Sequence, residues 1–263
     1  MTSSNSISSA MMVLEFAVLL AVFIACARLK GVHPVTKLLY LMWIATLFIS
    51  NLYYLTHALQ NKGLYLPFSA MDVVSAGLYT LLPAALQQNF SIDLKKVTPF
   101  NSAGALFGAI NIWLWILWSG SWLGNIINML PFVYLLYVCS SSLEISGAFR
   151  KTDKIALLTA SAVISVLETV LYYSAGALYA VLDTVSYIIM FSCSLYLIFR
   201  TVDALVRESA DKALALSASS YVMSIITTYM SYEPIYFVAD FMVIVTIALT
   251  YLAVRKKGKE ASE

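Results

Sequence analysis

The chain has 263 residues, 61% hydrophobic and only 11% charged, with a net charge of +2 and a mean hydropathy of +0.83. A soluble globule of this length cannot hide so much apolar surface, whereas a bilayer can, so composition selects an all-α integral membrane protein whose first partner is the lipid bilayer. With no basic soluble domain, nucleic acid is excluded as a partner.

A spanning helix needs ~20 mostly apolar residues. Nine runs meet this: residues 10–29, 35–59, 68–90, 102–118, 122–144, 155–174, 178–200, 213–231 and 235–254. The run 213–231 is rich in Ala, Ser and Thr, and the count falls to eight if it does not cross. Together they make one transmembrane domain over residues 1–263, with residues 255–263 as a basic cytoplasmic tail. The stretch 200–212 alternates in sign and reads as a helical extension.

The Lys and Arg residues divide unevenly among the connections. Fifteen of sixteen fall in five clusters on one alternating set: Arg28, Lys30 and Lys37; Lys95 and Lys96; Arg150, Lys151 and Lys154; Arg200, Arg207 and Lys212; Arg255, Lys256, Lys257 and Lys259. Lys62 alone is on the other set. Short basic loops stay in the cytoplasm, which predicts an outside N-terminus and a cytoplasmic C-terminus. The polar first residues and the charge after the first run predict a retained helix rather than a cleaved signal.

Pro83 and Pro131 fall inside the third and fifth runs, where each frees the carbonyl four residues earlier, and they are the candidate helix breaks. Gly104 and Gly108 form a small-xxx-small pair suited to close helix contact. Cys26, Cys139 and Cys193 lie within apolar runs and are expected to be free packing residues.

Three helices begin alike, with an aromatic four residues before an aspartate: Phe68 and Asp72, Tyr179 and Asp183, Tyr236 and Asp240. This suggests tandem helical-hairpin repeats in parallel orientation. Aromatic residues also collect at membrane boundaries without any repeat.

The candidate site is a set of intramembrane acids. Glu15 lies thirteen residues before Arg28, Glu168 fourteen after Lys154, Asp240 fifteen before Arg255 and Asp183 seventeen before Arg200. At 1.5 Å per residue they stand ~20–25 Å above the basic clusters, as an acidic layer in the outer third of the membrane. Asp72 belongs at the outer edge, with Glu233 in the loop beside it. His57 and Lys62 are the only cationic candidates on that side. Tyr172, Tyr179 and Tyr236 supply hydroxyls and ring faces. Carboxylates short of basic partners need a proton, hydrogen bonds or a bound cation, and aromatic rings suit an organic cation.

Other chemistries lack their residues. No lysine sits in mid-helix for a retinal Schiff base, and two histidines cannot make a three-His zinc site. There is no Walker motif, dinucleotide fingerprint or nucleophile elbow, so no cofactor, metal or catalytic residue is expected. The short loops and tandem hairpins are similar to those of small bacterial inner-membrane carriers or sensor modules. The leading expectation is a carrier or ligand-binding protein of the bacterial cytoplasmic membrane, with an outward acidic and aromatic vestibule for a proton, metal ion or organic cation. The alternatives are a non-transporting sensor or assembly module acting through a membrane or cytoplasmic protein partner, and an intramembrane lipid enzyme using paired carboxylates. The sequence does not fix an oligomeric state.

Overall fold

The computed structural model describes residues 2–59, 70–120, 122–230 and 235–262, and every regular element among them is an α-helix. Nine helices follow in order: α1 (Thr2–Ala27), α2 (Pro34–Leu59), α3 (Ala70–Phe90), α4 (Pro99–Ser119), α5 (Trp122–Ile145), α6 (Lys151–Tyr172), α7 (Gly176–Arg207), α8 (Ala210–Met230) and α9 (Ile235–Glu260). Each coincides with one apolar run. Stretches of α2, α4, α5, α6, α7 and α9 are long and apolar enough to cross a bilayer, which makes this an integral multi-pass membrane protein.

Local chemistry sets the helix ends. Thr98 caps α4: its Oγ1 accepts from the Asn101 amide at 3.2 Å, while Asn101 Oδ1 accepts from the Thr98 amide at 2.8 Å. Pro99 then costs nothing, because its missing N–H falls where no helical acceptor exists. The same helix stops at Gly120, whose φ of 66° lies in the left-handed region and whose N–H returns to the Ile116 carbonyl. That tight stop turns the chain straight into α5.

Eight helices form a closed ring, each packed on the next in the order α1, α2, α3, α5, α4, α6, α7, α9 and back to α1. The ninth, α8, fills the middle against α5, α7 and α9. Trp43 of α2 also reaches it, edge-on to Tyr221 with centroids 5.0 Å apart. From Ala213 to Thr227 nearly every side chain of α8 is buried. This explains its modest hydropathy: a helix surrounded by protein has no lipid to match, and Ala and Ser allow close approach. Its hydroxyls turn back on their own helix, as in Ser219 to Ala215 O at 2.9 Å and Thr227 to Met223 O at 2.8 Å.

α3 and α5 each continue through their prolines, Pro83 and Pro131. Tyr79, one turn before Pro83, packs edge-on against Phe132, the residue after Pro131, at 5.0 Å. Each proline removes one backbone hydrogen bond, and packing between the two affected turns keeps the helices whole. The basic segment after residue 254 is helical for most of its length, because α9 runs on to Glu260. The Lys256 Nζ donates to the Ala204, Leu205 and Glu208 carbonyls at the end of α7, and Lys257 pairs with Asp211. Glu260 accepts from the Ala210 amide at 3.1 Å and so caps α8.

The glycine pair of α4 serves packing inside the bundle. A Cβ on Gly108 would stand 3.3 Å from the Val133 Cα, and one on Gly104 3.1 Å from the Leu136 carbonyl oxygen. The three cysteines are free thiols.

Candidate functional site

The two ends of the bundle differ sharply in charge. All five basic clusters belong to one end, and so do all six ion pairs found among the described residues. Arg200 links three segments there: it donates to the Ala148 carbonyl at 3.1 Å and stands 3.7 Å from Asp153 and 3.5 Å from Glu208. Lys154 pairs with Glu144 at 2.9 Å and lies over the Phe100 ring at 5.3 Å. Thr98 donates to the other Glu144 oxygen at 2.5 Å.

The intramembrane acids have none of these partners. Among the described residues, no Lys, Arg or His pairs with Glu15, Glu168, Asp183 or Asp240. Instead the acids come together as two pairs on separate helix contacts. Glu168 on α6, 5% exposed, lies within electrostatic range of Asp183 on α7; Glu15 on α1, 8% exposed, lies within electrostatic range of Asp240 on α9.

The first pair is the more fully built. Ser186 donates to Glu168 Oε1 at 2.5 Å, across the α6–α7 contact. Tyr187, one turn after Asp183, donates to that aspartate. Beyond the acids lies an aromatic group. The Trp118 ring at the end of α4 meets Tyr172 edge-on at 5.5 Å and Tyr179 at 6.5 Å. Tyr172 is one turn beyond Glu168 and Tyr179 one turn before Asp183, so each tyrosine shares a helix face with an acid on the side away from the basic end, and Trp118 meets both tyrosines from α4.

At the second pair, the Asn51 side-chain amide of α2 stands beside Glu15. Tyr236 stands one turn before Asp240 and meets Phe237 edge-on at 6.1 Å. The backbones of His57 and Asp72 belong to α2 and α3. Their side chains lie outside the described residues, as do Lys62, Phe68 and Glu233. No group of three or more His, Cys, Asp or Glu gathers among the described residues.

Sequence reasoning missed Ser186, Tyr187, Trp118 and Asn51. Tyr187 could have been found, because it falls four residues after Asp183 on a helix. The other three reach the acids across helix contacts, which periodicity within one helix does not encode.

The chain was compared with known protein families, curated proteins and solved structures, and none of them matches it.

Proposed function

We propose that this is a small multi-pass membrane carrier or ligand-binding protein whose Glu168–Asp183 pair takes up a proton or a cation. An organic amine suits the aromatic group best. The observation that carries this reading is the acid pair without a basic partner among the described residues, next to the ring group of Trp118, Tyr172 and Tyr179.

The energies favour a bound positive charge. An ionised carboxylate costs about 2.5–3.5 kcal/mol at the bilayer centre on insertion scales and less in the outer third, where the acidic layer stands. One hydrogen bond to a charged group returns about 1.5–3 kcal/mol. For Glu168 the hydrogen bond offsets that cost, but the neighbouring Asp183 then adds like-charge repulsion. So does its position one turn from the C-terminus of α6, where the helix dipole disfavours an anion by about 0.3–1 kcal/mol. A proton or cation between the acids removes both terms. Aromatic faces add about 0.5–2 kcal/mol for an organic cation. The Glu15–Asp240 pair is a second position of the same kind, suited to a coupling proton.

The loop charges orient the protein with the basic end in the cytoplasm, the N-terminus outside and nine crossings. The aromatic group then faces outward. A bacterial cytoplasmic membrane fits this arrangement.

The test is thermal unfolding of the solubilised full chain with a panel of alkali cations, divalent cations and quaternary amines. The expected result is a saturable stabilisation by one class that disappears in Glu168→Gln and Asp183→Asn. Equal stability under every condition would contradict the reading.

A further inference from the structure

A cavity on the basic side of the bundle lies among α4, α5, α6, α7 and α8, with about 60 Å³ of room for water between mainly apolar walls. Its α6 wall ends at Ser161, two turns before Glu168. Phe100 and Leu143 line it, directly under the Lys154 cation and beside Glu144. Ser161 of α6 and Ser219 of α8 also line it.

From Ser161 a column of hydroxyls continues along α6. Ser165 is one turn on and donates to the Ser161 carbonyl at 2.8 Å, and Glu168 follows three residues later. The three share one face, at spacings of about 6 and 4.5 Å along the axis, each within the reach of a single bridging water. α7 and α8 carry buried hydroxyl pairs: Ser194 with Thr227 at 3.0 Å, and Thr201 with Ser220 at 3.2 Å. Between Ser220 and Thr227, on the same face of α8, Ser224 is fully buried and its Oγ has no partner among the described residues.

We infer that this cavity and the Ser161–Ser165 column form a half-channel through which Glu168 exchanges its proton with the basic end. The inference rests on the proton or cation reading of Glu168 and adds the route. In each hop a hydroxyl oxygen accepts a proton on a lone pair and releases its own on the far side, so every serine is regenerated. One proton moves, and nothing is oxidised. The groups facing Glu168 from α7 are Asp183, Tyr179 and Tyr187. α4, the other helix packed on α6, carries no titratable side chain.

The experiment uses a hydrophobic carbodiimide, which reacts with protonated carboxyls in apolar surroundings. The full chain is placed in vesicles of uniform orientation, the pH on each side is set separately, and adduct at Glu168 is read by mass spectrometry. Adduct yield is expected to follow the pH on the basic side. Ser165→Val removes the hydroxyl, fills its space and should abolish that dependence, while Ser165→Thr should restore it. Yield that follows the opposite side, or a wild-type dependence in Ser165→Val, would overturn the route. The sidedness of the wild type decides the matter even if Ser165→Val fails to fold. A parallel arm adds quaternary amine and asks whether Glu168 is protected. Protection with the wrong sidedness overturns only the route; no adduct and no protection at any pH contradicts both readings.

Discussion

The Ser186 hydroxyl on α7 donates to Glu168 on α6 across 2.5 Å, and this bond ties the two helices at the candidate site. Ser186 is fully buried, so the donor has no access to bulk water and is held for the carboxylate. Ser186→Ala should therefore weaken cation binding about tenfold, the equivalent of one hydrogen bond to a charged group. Ser186→Thr should retain most of the affinity. The midpoints of thermal-shift titrations measure both.

Trp118 separates organic from inorganic cations. Its ring joins Tyr172 and Tyr179 next to the acids, so Trp118→Ala should weaken quaternary amines by about 1–2 kcal/mol. Alkali cations, which the carboxylates hold directly, should bind within about twofold of wild type, since little of their binding energy comes from the ring. Competition between the two classes in wild type and variant gives the ratio.

The docked end of α9 gives a stability prediction. Lys256 supplies donors to three carbonyls where α7 ends, of which Ala204 also accepts from the Glu208 amide. Lys256→Met should cost about 2–3 kcal/mol and expose the connection near residues 208–210 to protease. An unattached tail would show neither change, so limited proteolysis with a melting curve distinguishes the two.

Gly104 tests the α4–α5 contact. A methyl group there would run into Ser140 Oγ and stand 3.1 Å from the Leu136 carbonyl oxygen. Gly104→Ala should destabilise the protein by about 1–3 kcal/mol through overpacking. Adding Ser140→Ala removes the nearer obstruction and should recover part of the loss. Full recovery is not expected, because the backbone oxygen stays in place.

Much of the fold was legible in the sequence, and the reasons are physical. Membrane spans must satisfy every backbone group internally, so apolar runs of the right length become helices with little ambiguity. All nine predicted runs are helical, with ends set by visible signals such as Thr98, Pro99 and Gly120. Hydropathy was least informative for α8 because it reports exposure to lipid, and Ala213 through Thr227 meet protein instead. The Tyr79–Phe132 contact between the proline-bearing stretches of α3 and α5 was not legible, because local helix propensity does not record it.

The acids themselves were found by counting from the basic clusters. Their division into two pairs was not, because it depends on α6 packing on α7 and α9 on α1. No periodicity within a helix records which helices will be neighbours. The same limit hid Trp118, which reaches the site from α4.

The central claim is that Glu168 and Asp183 form a cation site, and direct calorimetric titration tests it most closely. Tetramethylammonium would be titrated into the full chain in lipid nanodiscs, for wild type, Glu168→Gln and Asp183→Asn. The account predicts saturable binding in wild type and its loss in both variants, with all three equally folded by circular dichroism. Saturable binding that survives both substitutions would contradict it, and so would a wild type that binds neither this amine nor any alkali cation.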